Sequence, residues 1–268
     1  MKLLQALCED TRKMKMKDGS SYRIVESPNT RTIYIEETET GDLTPFHGQW
    51  EHMREGFEHM IKISITYGRI GGFNSFHGLP AEICEHAEFK LAGNDYMDKL
   101  QGWPSGGEPY SFTIENAALS TFEGFPDKFG HDLSVENVPI KSFKGFPSNV
   151  GYSCNLHDLD VVDFTGATGS TGRNVDLRRC HELKSFRGID KLFSGGLAST
   201  LSIDKVRSMK HILHVMNVPN LRFVSFSDNT PLSLLINEHL DAGHGKAGVV
   251  HLQNALLDAG YDEEFASL

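Results

Sequence analysis

Apolar residues along this chain recur in two short settings that alternate. The first is a phrase: an apolar residue, two spacers, a second apolar residue, any residue, then Gly, often followed by apolar-Pro. It reads Phe73-Asn-Ser-Phe76-His-Gly-Leu-Pro80, Met97-Asp-Lys-Leu100-Gln-Gly-Trp-Pro104, Leu119-Ser-Thr-Phe122-Glu-Gly-Phe-Pro126 and Ile140-Lys-Ser-Phe143-Lys-Gly-Phe-Pro147. Shorter copies follow at Val161-Val-Asp-Phe164-Thr-Gly166 and Leu183-Lys-Ser-Phe186-Arg-Gly188. The second apolar residue falls at 76, 100, 122, 143, 164 and 186, a period of 21 to 24 residues. The second setting is an apolar-x-apolar segment between phrases: Phe89/Leu91, Phe112/Ile114, Leu133/Val135, Cys154/Leu156, Val175/Leu177 and Leu201/Ile203. Ile63/Ile65 before the array and Val224/Phe226 after it extend the series. Alternation over so few residues predicts a half-buried strand. A fixed period predicts coils that bury a continuous face only by stacking. Strands about 4.8 Å apart would place eight of them in a parallel ribbon.

The flanks do not repeat. Segments 22–25 and 32–36 alternate across Ser27-Pro-Asn-Thr30, which predicts a hairpin. Trp50, Met53, Phe57 and Met60 have helical spacing, which predicts an amphipathic helix over 49–61. Segments 231–240 and 247–259 predict two helices, the second stopping at Gly260 as its C′ residue. The expected fold is thus an α/β solenoid with a parallel β ribbon over 63–229. A hairpin-and-helix cap precedes it over 1–62, and a two-helix cap follows over 230–268.

Composition narrows the function. The 268 residues are 39% apolar, 10% aromatic and 23% charged, which excludes wholesale disorder. No apolar run reaches the ~20 residues of a membrane helix, and the first ten residues lack the apolar centre of a cleavable signal. A formal charge of −10 argues against a basic surface for duplex nucleic acid. Four cysteines without a CxxC pair fit a reducing cytoplasm.

Within this array, Val150-Gly-Tyr-Ser-Cys154-Asn-Leu156-His-Asp158 followed by Val161-Val-Asp-Phe164-Thr-Gly166 resembles a leucine-rich-repeat variant common in proteins encoded by tailed bacteriophages. That variant runs roughly V-G-G-x-F-x-C-x-x-N-x-L-x-S-L-x-G-x-P, and the likeness covers about residues 63–229. Asn116, Asn137 and Asp158 occupy its asparagine position, where their side chains are expected to satisfy turn carbonyls of the neighbouring coil. Arg179 and Lys205 depart from the pattern, and the last coils are expected to be less regular. The resemblance implies a fold and a viral origin, with no activity attached.

Motifs with chemical potential are few. Phe164-Thr-Gly166-Ala-Thr-Gly169-Ser-Thr-Gly172 resembles a dinucleotide-binding turn, but 174–179 alternates as the next strand where a helix would be required. His52, Glu55 and His59 share a helix face and could hold a metal, yet no second ligand-bearing helix accompanies them. Cys154 and Cys180 fall at apolar repeat positions and read as small core residues. There is no Ser-His-Asp order, Walker lysine or HExxH motif, so no enzyme activity, cofactor or metal is expected.

The remaining candidate is the outward face of the ribbon. One column runs Lys90, Thr113, Ser134, Asn155, Asp176, Ser202 and Ser225. The other runs Ala92, Glu115, Glu136, His157, Arg178, Asp204 and Ser227. Rigid, pre-ordered side chains lose little entropy on binding, which suits protein recognition. A solvated sheet face without a partner would show the same outward polarity. The partner-binding residues expected are Glu115, Glu136, His157, Asp176, Arg178 and Asp204. The function expected is a non-enzymatic protein–protein interaction module, phage-encoded, taking a host or phage protein in the host cytoplasm. Countering a bacterial defence or redirecting a host factor would be its setting. The alternative is a virion or assembly protein. Met1-Lys-Leu-Leu-Gln-Ala-Leu7-Cys-Glu9 resembles leaders on some head-packaged phage proteins, with Leu7-Cys-Glu9 resembling a prohead-protease site.

Overall fold

The computed structural model describes the strands at 21–26, 33–37, 43–46 and 61–66, and residues 76, 84–85, 87–94, 97–169, 172–193, 199–206, 209–242 and 246–268. These residues build a parallel β-solenoid of about six turns. Its strands are β1 (Ser21–Glu26), β2 (Ile33–Glu37), β3 (Leu43–Phe46), β4 (Ile61–Thr66), β5 (Ala87–Ala92), β6 (Ser111–Glu115) and β7 (Lys128–Phe129). They continue as β8 (Leu133–Glu136), β9 (Asn149–Val150), β10 (Ser153–His157), β11 (Asn174–Arg178), β12 (Ser199–Ile203) and β13 (Leu221–Phe226). Eleven of them form one sheet in the order β13-β12-β11-β10-β8-β6-β5-β4-β1-β2-β3, and β7 pairs with β9 on another side of the coil.

The apolar-x-apolar segments are the parallel strands, in the register that the repeat dictates. Phe89, Phe112, Leu133, Cys154, Val175, Leu201 and Val224 face one another across consecutive strands. All of them are buried, while the residues between them are half-exposed. The phrases form a second buried column of Phe76, Leu100, Phe122, Phe143, Phe164 and Phe186. Phe122, Phe143 and Phe164 stack face to face, with centroids 5.8 and 5.4 Å apart, and none is exposed. Stacked rings add to the hydrophobic term, which is itself about 3 kcal/mol for a fully buried phenylalanine.

Two kinds of glycine let the coils close up. The phrase glycines 102, 124, 145, 166 and 188 all take positive φ, between 74° and 89°. At Gly124 a Cβ would also sit 1.9 Å from the Leu100 carbonyl oxygen. Gly151 and Gly172 are excluded from substitution by contact rather than by backbone angle, since a Cβ would lie 2.3 and 2.0 Å from the carbonyl oxygens of Gly130 and Gly151. The glycine run from 166 to 172 is therefore a set of coil-to-coil contacts, and Asn174–Arg178 after it is strand β11.

From residue 87 on, helix enters the described returns near the C-terminus, as one turn at Ile189–Leu192 before β12 and a 3-10 helix at Ile212–Asn217 before β13. Between residues 87 and 188 the described returns carry no helix, and the phrase prolines Pro104, Pro126 and Pro147 disfavour one there. The two longest described helices are α1 (Thr230–Ala242) and α2 (Lys246–Asp258). Asn229 opens α1 by accepting the Leu232 N–H at 3.2 Å. At the far end of α2, Gly260 at φ 87° and the bonds Gly260 N–H to Leu257 and Tyr261 N–H to Leu256 form a Schellman closure. Helix α1 lies on the outer strand: Asn237 accepts from the Val224 N–H and donates to its carbonyl, and Ser233 accepts from the Phe226 N–H. These bonds occupy backbone groups that an open sheet edge would present to another chain.

At the other end, β1 and β2 are the antiparallel hairpin, and β3 extends it by a strand that the alternation did not predict. β1 also pairs in parallel with β4, so the sheet runs across the boundary drawn at residue 62. Residues 49–60 of the expected amphipathic helix, with His52, Glu55 and His59, lie outside the described residues, and Ile61 opens β4.

The glycine contacts predict an asymmetry between two equivalent positions. At Gly130 the nearest atom to an added methyl would be 3.6 Å away, an ordinary contact. Gly130→Ala should leave the urea unfolding midpoint within experimental scatter. Gly151→Ala should lower stability by about 3 kcal/mol, and equal effects would disprove a coil spacing set by this approach.

Candidate interaction surface

The ribbon's outward columns are built by pairing one residue of each coil with the same residue of the next. Glu115 lies directly opposite Glu136, His157 opposite Arg178, and Asn155 opposite Asp176. Placing Glu115 beside Glu136 sets two carboxylates about one strand spacing apart, a repulsive arrangement. The chain resolves it by drawing each to a different cation. Lys90 Nζ lies 2.8 Å from Glu115, and Arg179 Nη2 lies 2.6 Å from Glu136.

Arg179 organises the middle of this surface, a role that no repeat position signals. It takes the left-handed backbone, φ 58°, in line with Asn116, Asn137 and Asp158 at 52–53°. Its Nε donates to Asp158 at 2.6 Å, and its backbone N–H donates to Asp204 at 2.7 Å. The asparagine ladder does not serve turn carbonyls through side chains, as expected from the resemblance. Asn137 donates its amide to the Asn116 side chain at 2.6 Å, while the backbone N–H groups of Asn116, Asn137 and Asp158 reach the carbonyls of the next coil. Arg179 extends this ladder where a break was expected, because an ion pair replaces the amide bond. Lys205 does leave it and has no left-handed backbone.

His157, Asp176 and Arg178 form the tightest group. Arg178 Nη2 donates to Asp176 Oδ2, and His157 Nε2 lies 3.5 Å from the same oxygen. Both His157 and Asp176 are mostly covered, with 13% and 20% of their side chains exposed. Burial alone would raise the Asp176 carboxyl, but its contacts with His157 and Arg178 and their charges outweigh it and hold the group below its ordinary value. The six expected residues therefore share a surface, but in two arrangements. Glu136, His157, Asp176, Arg178 and Asp204 are tied together through Arg178 and Arg179, while Glu115 is held apart by Lys90.

A further column became visible only in three dimensions. Tyr110, His131 and Tyr152 stack nearly parallel, with centroids 4.9 and 4.7 Å apart, and the Arg173 guanidinium lies 5.0 Å above Tyr152. These residues are spaced 21 apart, a signal available in the sequence but masked by their differing chemistry.

Cys154 and Cys180 are core residues. Cys154 is fully buried, and that burial pushes its thiol far above the ordinary value. Cys180 is pushed up to about 11, chiefly by burial, and its thiol points to the Leu156 carbonyl. Among the described residues no group of three His, Cys, Asp or Glu side chains is placed to hold a metal. No described helix is long and apolar enough to cross a membrane. No known protein family, curated protein or solved structure matches the chain.

Asp176 sets an acid limb for stability. Its folded value is depressed, so its contribution is complete above the unfolded value of about 3.9 and is lost as pH falls through the folded one. Asp176→Asn should flatten the dependence of the thermal midpoint on pH below about 4, and an unchanged slope would mean that the ion pair is not formed.

Proposed function

We propose that this protein is a non-enzymatic interaction module whose ribbon binds a protein partner. The supporting observation is the pre-ordering of its outward side chains: Glu115, Glu136, Asp176, Arg178 and Asp204 are each already fixed by a neighbour. A partner meeting such a face pays little to order it, and its charged groups can replace intramolecular partners at fixed positions. The internal pairing also sets the kind of recognition. Acids already neutralised in place give specificity and register rather than long-range attraction, so the partner surface is mixed in sign and not strongly basic.

The finer identity belongs to the same proposal. The coil pattern is that of a leucine-rich-repeat variant, the hairpin region and α1–α2 act as end caps, and the gene is of bacteriophage origin. The partner is a host or phage protein, and an anti-defence or host-takeover role follows from that setting. The resemblance of residues 63–229 to phage-encoded repeats supports this reading.

Capture from infected and uninfected host cells tests it. The triple variant Glu115→Lys, Glu136→Lys, Arg178→Glu should lose the captured partner while keeping its circular dichroism spectrum. Retention of the partner by a folded triple variant would remove the ribbon from the binding surface.

A further inference from the structure

The residues around His211 lie where the last coil meets the C-terminal segment, and their geometry dictates a protonation state. In three successive coils a short polar side chain closes the phrase turn: Thr121, Ser142 and Asp163 accept the N–H of the residue two further on. Ser185 does the same for the Arg187 N–H at 3.1 Å, and its Oγ also lies 2.9 Å from His211 Nδ1. On the opposite side of the ring, Arg187 Nη2 lies 3.4 Å from His211 Nε2. A guanidinium has donors only, so Nε2 must be the unprotonated acceptor. The hydrogen then sits on Nδ1 and is donated to Ser185 Oγ, whose second lone pair is free for it.

His211 also carries strain and a load. It is a non-glycine residue at φ 60°, in the left-handed region that favours glycine and asparagine. Beside it, the strip 211–213 donates three backbone bonds to the C-terminal segment: His211 to Glu264 at 3.1 Å, Ile212 to Phe265 at 2.9 Å and Leu213 to Ser267 at 3.3 Å. His214 packs one turn on, its ring centroid 6.3 Å from that of His211. Its Nδ1 is buried without a hydrogen-bond partner.

We propose that His211 and His214 form an acid-sensitive latch that holds the 264–267 segment on the last coil. His211 holds the strip through its bonds to Ser185 and Arg187, and His214 is the group that responds to acid. Protonating His214 puts a mostly buried cation beside the ring that the Arg187 guanidinium already bonds. Burial already holds His214 below its ordinary value; Asp190 opposes this, and His211 and Arg187 reinforce it. Among the described charged groups around the pair, Lys210 is engaged by Glu264 at 2.6 Å, and Asp190 by Lys191 at 3.2 Å. Asp190, 4.0 Å from His214 Nδ1, lies beyond hydrogen-bond distance and already faces Lys191. The depressed His214 value fixes the sign: its contribution to the latched state is complete above about pH 6.5 and is lost as pH falls.

Hydrogen exchange of the full chain at about pH 7.5 and 5.5, corrected for intrinsic rates, reads the latch. Peptides covering 210–217 and 262–268 should exchange roughly tenfold faster at the lower pH, with 133–157 unchanged. In His211→Asn, His214→Asn the difference should vanish; asparagine tolerates the left-handed backbone and does not titrate. Equal acceleration across the whole chain, no acceleration, or its persistence in a folded double variant would each overturn the proposal. The imidazole nitrogen spectrum of the wild-type protein keeps the test decisive if that variant does not fold. It should show hydrogen on His211 Nδ1 at neutral pH, and hydrogen on Nε2 would refute the latch.

Discussion

Backbone hydrogen bonding between successive coils sets the pitch of this molecule, and the pitch constrains everything attached to it. Once the strands pair in register, each coil must repeat within one strand spacing, about 4.8 Å, of the last. Nothing thicker than a backbone fits at the narrow crossings. That is why the phrase glycines turn with positive φ, and why Gly151 and Gly172 meet the carbonyl of the preceding coil. The same spacing suits flat rings, so Phe122, Phe143 and Phe164 line up as a stack beneath the ribbon.

The polar face obeys the same rule with a different outcome. A repeat that stacks identical positions also stacks identical charges, and Glu115 beside Glu136 is the direct result. The solution is to vary the chemistry along a column rather than abandon the column. Lys90 draws off one carboxylate, Arg179 the other, and His131 separates two tyrosines in the stack that Arg173 ends. A rigid face of internally matched groups follows, which is the property that the proposed partner binding uses.

Regularity fades towards the C-terminus, and polar side chains take over the backbone's tasks there. Arg178 and Asp204 are separated by 26 residues, against 21 for Glu136 and His157. The N–H of Arg179 accordingly finds the Asp204 carboxylate where earlier coils find a carbonyl. The pairing of β12 with β13 carries a register shift at Ser199–Thr200, and α1 closes the outer strand with Asn237 and Ser233. His211, Arg187 and Ser185 belong to this irregular zone, where polar side chains bond one segment to the next.

The parallel strands, their register, the buried identities of Cys154 and Cys180, and the Schellman end at Gly260 were all legible in the sequence. Each depends on a local period or on a residue's own backbone preference, and a 21-residue repeat writes long-range pairing as short-range spacing. Strand β3, the continuation of the sheet through β1, the roles of Arg179 and Lys90, and the environment of His211 were decided by the tertiary structure alone. Arg179 looked like a break in a ladder because its residue type departs from the asparagine pattern, and only the stacked coils show its side chain reaching a glutamate two coils earlier. Local chemistry sets what each coil is. Only the stacked chain decides which charges meet, because ion pairs form between whatever side chains the pitch brings within reach.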